Sequence, residues 1–238
     1  IAQDPENYEA ILMHIAASDT KSQLRAEALK ALTRSGRKPE VFAQFEKSLS
    51  DSSALVQGAA IAAMFSSNPD KTKSVIEPME KTASGDLLSA IAMIYASAGT
   101  PGKLDFMKKA YADIKDPNDR YVFVQIIGKY AISQGDPIMY QSIPYFTDVA
   151  KRSSAWWMRL SGIQVLAELQ MQYDSQVDQL NDEIMEMKEK GTSVSMVQDR
   201  EIKKTAVKAK SREISIIIDT IREEEKDPNL VRMLNMFR

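Results

Sequence analysis

The only histidine is the sequence's best candidate for metal chemistry. His14 lies in the segment 12–16, which reads LMHIA. The zinc helix of metallopeptidases reads H-E-x-x-H, with the Glu as general base and a second His one turn further on. Ile15 and Ser18 occupy those two places here. With one His and no Cys among 238 residues, we predict that this chain has no metal site and no Ser-His-Asp set.

Other groups that could do chemistry are adjacent in sequence and do not face one another. The carboxylates of 182–183 and 223–225 lie in charged stretches, whereas a general acid needs a desolvated site to shift its pKa. The glycines of the segment 99–102, GTPG, do not form a phosphate loop. Trp156 and Trp157 point about 100° apart on a helix, so we interpret them as packing residues, with ligand stacking as the alternative. We therefore predict no catalytic residue in this chain.

The charge pattern disfavours nucleic acid as a partner. A local basic face is formed by Lys203, Lys204, Lys208 and Lys210. The neighbouring Glu201 and Glu213 oppose it, and the net charge of −2 is poor for general phosphate binding. No apolar run approaches the ~18 residues of a membrane span. The absence of Cys leaves the redox compartment open, so no localisation is predicted.

The elements that must position any site come from a repeat in the first two thirds of the chain. Five segments share a pair in which a polar residue follows an apolar one. Counted from the polar residue, a small residue lies three positions later and an apolar residue lies seven positions later. The spacing between these segments is 32, 32, 36 and 34 residues. The small residues are Ala28, Ala60, Ala92, Gly128 and Gly162. Small side chains at a fixed helical position predict that neighbouring helices approach closely there.

The polar residue of each pair defines a candidate binding site, called the polar row. Its members are Arg25, Gln57, Ser89, Gln125 and Arg159. Six positions before each member lies an expected N-cap: Asp19, Asp51, Ala83, Asp119 and Ser153, four of which suit that role. Two interpretations stay open for the row. It is either a concave binding surface for a peptide or protein, or a set of hydrogen bonds between repeats.

Helical spacing of apolar residues predicts five pairs of helices. They cover 5–17 with 20–35, 38–49 with 52–66, 70–83 with 85–98, 102–114 with 117–133, and 137–150 with 153–170. We expect Pro78 and Pro144 to kink or shorten their helices. The pattern predicts an all-α chain with more than about 65% helix and no sheet, because Gly is scarce and sustained alternation is missing.

Residues 171–238 are more charged, and the repeat fades there. A nearly heptad apolar stripe from Ile163 to Met187 predicts that the last repeat helix continues to about Lys190. A second long helix is expected over 198–226, with Ile202, Ala206, Ala209, Ile217 and Ile221 facing inward, and a short helix over 229–237. We therefore predict two domains, with helical repeats over 1–170 and a long antiparallel helical hairpin over 171–238. Solvated helix faces explain its charges, and a dimerising coiled coil is the alternative.

The repeat resembles HEAT-like repeats, the α-solenoid class, through the Asp before each second helix, the Val-Arg-like pair and the following Ala. The whole chain resembles the C-terminal helical domain of the aminopeptidase N family of zinc metallopeptidases. The residues that carry this resemblance are the segments 19–32 and 51–64 and the closing 227–230, DPNL. The chain begins with Ile1, without a signal-peptide pattern, and we interpret it as part of a longer protein.

The resemblance implies a non-catalytic domain that caps the catalytic cleft and limits peptide access. Zinc is then expected only in a separate catalytic domain, and the partner is that domain or another protein or peptide. The alternative function is a HEAT-like scaffold module that binds protein or peptide partners. An enzyme that acts through the solenoid surface, such as a HEAT-like DNA glycosylase, is disfavoured because it needs a basic groove.

Overall fold

The chain is all-α in the computed structural model, which describes residues 5–236. Helix accounts for 83% of the chain, and the described residues contain no strand. The prediction of an all-α fold is therefore confirmed for this part of the chain. Ile1 and Phe237, the last residue of the expected helix over 229–237, lie outside the described residues. No helix among 5–236 is both long enough and apolar enough to cross a membrane.

Twelve α-helices follow one another along residues 5–236. They are α1 Pro5–Ser18, α2 Ser22–Leu32, α3 Pro39–Ser48, α4 Ala54–Ser67, α5 Pro69–Met79, α6 Gly85–Ala98, α7 Leu104–Asp113, α8 Pro117–Gln134, α9 Ile138–Arg152, α10 Trp156–Glu189, α11 Val194–Glu224 and α12 Pro228–Met236. A 3-10 turn over Thr33–Ser35 follows α2. Helix α5 ends four residues before the predicted boundary, just after Pro78, whereas α9 continues through Pro144.

The expected N-caps lie two residues too early in the first two repeats. The N-caps of α2 and α4 are Lys21 and Ser53. The carboxylates of Asp19 and Asp51 instead accept hydrogen bonds from the backbone N–H groups of these two residues, at 2.8 and 2.9 Å. An Asp side chain that bonds the N–H two residues ahead forms an Asx turn, which orders the chain just before the helix begins.

The chain divides into two compact units, residues 1–115 and 116–238. The predicted boundary between residues 170 and 171 lies inside the continuous helix α10, and the division into repeats and hairpin stays a prediction. In the first unit, α4 packs against α2, α3, α5 and α6. In the second unit, α10 packs against α8, α9, α11 and α12.

Small residues permit close packing in both units, as the repeat predicts. Ala60 and Ala92 are fully buried in the first unit. In the second unit, a Cβ atom on Gly128 would lie 2.6 Å from Val165 Cγ1, and one on Gly162 would lie 2.7 Å from the backbone N of Ala150. Both distances are well below van der Waals contact, so any larger residue would force the Val165 side chain or the backbone at Ala150 to shift.

The long helices α10 and α11 pack along one another in the second unit. Arg200 bonds Glu183 at 3.3 Å and Ser211 donates to Asp174 at 2.5 Å, so later residues of α11 meet earlier residues of α10. The inward residues of α11 are Val207, Ser211, Ile214, Ile218 and Ile221. The predicted inward stripe is therefore wrong for Ile202, Ala206 and Ala209, which are exposed. The prediction fails because α11 carries apolar residues on two faces, of which only one is buried.

Candidate functional site: the polar row

Arg25 is the first member of the polar row and clamps the start of the second repeat. Its Nε and Nη2 atoms donate to the two carboxylate oxygens of Asp51 at 2.9 and 2.8 Å. Its remaining nitrogen, Nη1, donates to the backbone carbonyl of Asp19 at 2.8 Å. A bidentate guanidinium–carboxylate pair fixes both orientation and distance. The side chain therefore joins its own helix start to the loop before α4.

The pairing between Arg25 and Asp51 also sets their charge states. The hydrogen bonds from Arg25 hold the pKa of the Asp51 carboxyl below its usual value, although partial burial opposes this effect. The same hydrogen bonds raise the pKa of Arg25. A carboxylate and a guanidinium held in this way stay ionised near neutral pH. Neither group is poised to exchange a proton in catalysis.

Gln57 occupies the same position one repeat later and repeats the bond to a backbone carbonyl. Its Nε2 atom donates to the backbone carbonyl of Asp51 at 2.7 Å. As with Arg25 and Asp19, the acceptor lies six residues before the donor. Asp51 therefore receives Arg25 at its carboxylate and Gln57 at its carbonyl. The helices α2 and α4, which are the second helices of the first two repeats, are therefore tied through this single residue.

Ser89 occupies the third position of the row in α6 and is half-buried. Its hydroxymethyl side chain is much shorter than that of Arg or Gln, so it cannot span six residues to a carbonyl.

A different cluster of polar side chains joins the helices in this part of the first unit. Glu80, just after α5, accepts hydrogen bonds from the Tyr95 hydroxyl of α6 and from Lys103 Nζ. Burial and the nearby Glu80 carboxylate raise the pKa of Tyr95, which stays protonated as the donor.

Arg159 is the last member of the row and repeats the complete clamp in the second unit. Its Nε and Nη2 atoms donate to the two carboxylate oxygens of Glu225 at 2.9 and 3.0 Å. Its Nη1 atom donates to the carbonyls of Ser153 and Ser154 at 3.0 and 3.1 Å. Burial raises the pKa of Glu225, but the bonds from Arg159 and from the backbone N–H of Asp227 bring it below its usual value. The start of α10 is thereby fastened to the segment between α11 and α12.

Gln125 bonds residues later in the chain, whereas Arg25, Gln57 and Arg159 each bond a carbonyl six residues earlier. Its Nε2 atom donates to the backbone carbonyl of Ser161 at 3.2 Å and to the Gln164 side chain at 3.4 Å. Tyr121, one turn earlier on α8, donates to the same Gln164 side chain at 3.0 Å. The donors of Gln125 therefore join α8 to α10.

The side chains of the row bond other groups of the chain, some within their own repeat and others across to another helix pair. Arg25, Gln57, Gln125 and Arg159 direct side-chain donors to groups of the chain itself. A donor that already has an intramolecular acceptor gains little from a ligand, because the existing bond must first be broken. The interpretation of the row as a peptide-binding surface stays a prediction.

A second polar cluster was missed by the sequence analysis. Asp136, just before α9, accepts hydrogen bonds from the Tyr173 hydroxyl and from Lys210 Nζ, both at 2.7 Å. The same Lys210 Nζ lies 5.2 Å from the ring centre of Tyr140 and 5.6 Å from that of Tyr173. Tyr140 in turn donates to Glu213 at 2.9 Å. Separations of 37, 73 and 74 residues leave no local signal for this cluster.

The remaining chemical candidates lie at the surface. His14 is exposed, and its ring lies 3.5 Å from Ser18 Oγ. Trp156 and Trp157 pack edge to face with ring centres 6.0 Å apart, and Trp157 is partly exposed. Within residues 5–236, no three His, Asp or Glu side chains are grouped so that they could hold a metal ion.

A shallow cleft in the first unit lies where α3 begins and α4 passes into α5. It has a volume of about 350 Å³, and its lining includes Arg37, Phe42, Glu46 and Lys71. Lys71 Nζ pairs with Glu46 at 2.6 Å and lies 4.5 Å from the ring centre of Phe42. The cleft combines cations with one aromatic face, which suits a small acidic or aromatic group.

Comparison with known proteins supplies no relative for this chain: no family model, no curated protein and no solved structure matches it.

Proposed function

We propose that this chain is a non-catalytic helical-repeat domain that caps the catalytic cleft of a larger zinc aminopeptidase and limits peptide access. In this proposal it is a HEAT-like α-solenoid of about five helix pairs, followed by a long antiparallel helical hairpin. The observation that best supports the repeat architecture in this proposal is a bond that recurs with the repeat. Arg25, Gln57 and Arg159 each bond a backbone carbonyl six residues earlier. The same local bond at matching repeat positions is expected when successive repeats have the same geometry.

The contacts between α10 and α11 support the hairpin. Glu183 meets Arg200, and Asp174 meets Ser211, so the contact order reverses along the two helices. Gly191, with a φ of 66°, lies in the short connection between them. A positive φ is readily adopted by glycine and reverses the chain at a helix end.

We assign the exposed face of α1 to the adjoining catalytic domain. Tyr8 and Ile11 lie three residues apart, hence on one face of the helix, and are 58% and 51% exposed. Two large apolar side chains that remain uncovered side by side offer apolar area that another protein could cover. The polar row is less suited to this role, because its donors already have partners.

The coding sequence upstream of Ile1 tests this proposal first. An H-E-x-x-H motif followed at a distance by Glu is required, and its absence would remove the capping role. With the motif in hand, the whole enzyme is compared with a version that ends before Ile1. Deletion should increase the cleavage of long peptides relative to that of a single aminoacyl substrate. An unchanged ratio means that the chain does not limit access.

A scaffold module that binds acidic peptide segments is the second candidate, and the cleft beside α3 favours it. Arg37 would meet a carboxylate there, next to the ring of Phe42, whereas the amine of Lys71 is already paired with Glu46 at 2.6 Å. Titration with a blocked tripeptide containing Glu, followed by NMR, should shift the amide signals of these residues. Lys71→Glu should abolish the shifts, while Lys47→Glu, on the same first unit but outside the cleft lining, should preserve them. Equal shifts in all three proteins would exclude the cleft as the binding site.

A further inference from the structure

The outer face of α11 has a composition that its partners within the chain do not explain. This face comprises Ile202, Lys208, Ala209, Arg212, Ile216, Asp219 and Glu223. Ile202 and Ile216 are 68% and 57% exposed, and Ala209 between them is also exposed. They recur every seven residues, which places them on one side of the helix. The helix α11 therefore has one heptad stripe buried against α10 and a second one that is uncovered.

The charges of this outer face are ordered along the helix. Lys208 and Arg212 lie on its earlier part, and Asp219 and Glu223 lie on its later part. Steps of four, seven and four residues keep all four on the same side of the helix as Ile216. All four are exposed. Asp219 makes only a long 3.6 Å pair with Arg222 on its own helix.

This arrangement is complementary to a reversed copy of itself. Lys208 and Glu223 are equally distant from the midpoint between Ser215 and Ile216, and so are Arg212 and Asp219. When two copies of α11 lie antiparallel about that midpoint, each Arg212 faces an Asp219 and each Lys208 faces a Glu223. The two Ile216 side chains are then neighbours at the centre. A parallel pair would instead place like charges opposite each other, which is unfavourable.

We propose that the outer face of α11 associates with the same face of a second copy of this chain, in an antiparallel arrangement about Ser215–Ile216. One helix face a side is less than the roughly 800 Å² per partner that stable interfaces bury. The association is therefore weak, with a dissociation constant of about 10 µM or more. Opposite charges that meet in symmetric pairs determine the direction and alignment of the two helices.

Sedimentation velocity of the whole chain tests the proposal. Between about 5 µM and about 500 µM, a range that brackets such a dimer, the mass should rise from monomer towards dimer. Raising the salt to about 1 M, where the Debye length is about 3 Å, should shift the chain back towards monomer. A wild-type chain that stays monomeric throughout, or whose association does not weaken with salt, overturns the proposal.

Charge exchange identifies the face. Arg212→Asp and Asp219→Arg, each alone, put like charges opposite at two symmetry-related places and should weaken association by about tenfold or more. The double variant, which carries both changes, restores opposite charges and should dimerise like the wild type. Arg232→Asp on α12 makes the same charge change away from the face and should have no effect. Failure of the double variant to recover, with wild-type circular dichroism, overturns the proposal. If a variant does not fold, the salt series on the wild type decides.

Discussion

The clamp formed by Arg159 makes a measurable prediction about the stability of the second unit. The guanidinium and the Glu225 carboxylate are 14% and 8% exposed, so most of their hydration is lost on folding. Arg159→Met keeps the aliphatic part of the side chain but leaves Glu225 without its bidentate donor. Breaking a fully buried pair costs about 3–5 kcal/mol, and the residual exposure reduces this here to about 2–3 kcal/mol.

Urea unfolding followed by tryptophan fluorescence measures this loss. The two tryptophans of the chain, Trp156 and Trp157, lie within one turn of Arg159. A double-mutant cycle with Glu225→Met isolates the interaction from the effects of each side chain alone. The cycle should give a coupling free energy of about 2 kcal/mol, because hydrogen bonds to charged groups contribute about 1.5–3 kcal/mol.

The matched control is Arg152→Met in the same unit. Arg152 pairs with Asp148 at 3.1 Å, but both side chains are largely exposed. Such surface pairs contribute little, so this variant should keep the wild-type urea midpoint. A coupling below about 0.5 kcal/mol for Arg159 and Glu225, the range of exposed pairs, would refute the clamp as a stabilising element.

Three further predictions follow from packing, charge and helix orientation. Ala60→Leu should cost about 1–3 kcal/mol of stability, because Ala60 is fully buried and overpacking strains the core. Ala112→Leu, at an exposed site, should leave the melting temperature unchanged. Equal effects of the two substitutions on the melting temperature would disprove the repeat alignment. The pKa of Glu225 is lowered in the folded chain, so its contribution is present above the unfolded value near 4.5 and is lost as pH falls through the lower folded value. Urea unfolding between neutral and acid pH should therefore show falling stability, and Glu225→Gln should reduce that fall; a parallel curve would contradict the pairing. Ile214→Ser should destabilise the chain by about 2–4 kcal/mol, since Ile214 is fully buried, whereas Ile202→Ser should not; the opposite order would restore the original sequence-based orientation of α11.

Much of the fold follows from local signals in the sequence. Helix positions come from apolar spacing and from polar residues followed by Pro. Asn68, for example, caps α5 by accepting a bond from the N–H of Lys71 at 3.1 Å. Asp116 caps α8 in the same way, bonding the N–H groups of Asn118 and Asp119, so the N-cap lies three residues before the expected Asp119. Each of these contacts spans three residues or fewer, so the sequence contains both partners within one window.

The orientation of α11 could not be predicted in the same way. Its sequence offers two apolar stripes, one through Ile202 and Ile216 and the other through Ile214 and Ile218. Both have helical spacing, and neither is distinguished by residue type. The orientation depends on the surface of α10, which packs against α11 and where Leu180 and Ile184 are buried, and only the folded chain aligns the two helices.

The arginines of the polar row show where local prediction ends. One nitrogen of each guanidinium bonds a carbonyl six residues earlier, a contact that the repeat pattern signals through the pair and its preceding polar residue. The other nitrogens bond a carboxylate 26 residues away for Arg25 and 66 residues away for Arg159. Asp51 stands at a repeat position, but the repeat does not indicate that it pairs with Arg25, and Glu225 lies outside the repeat altogether. The same long-range bonds occupy the donors that made the row attractive as a binding site. A partner should therefore be sought on uncovered surfaces, such as the face of α1 with Tyr8 and Ile11, because contacts there displace only water.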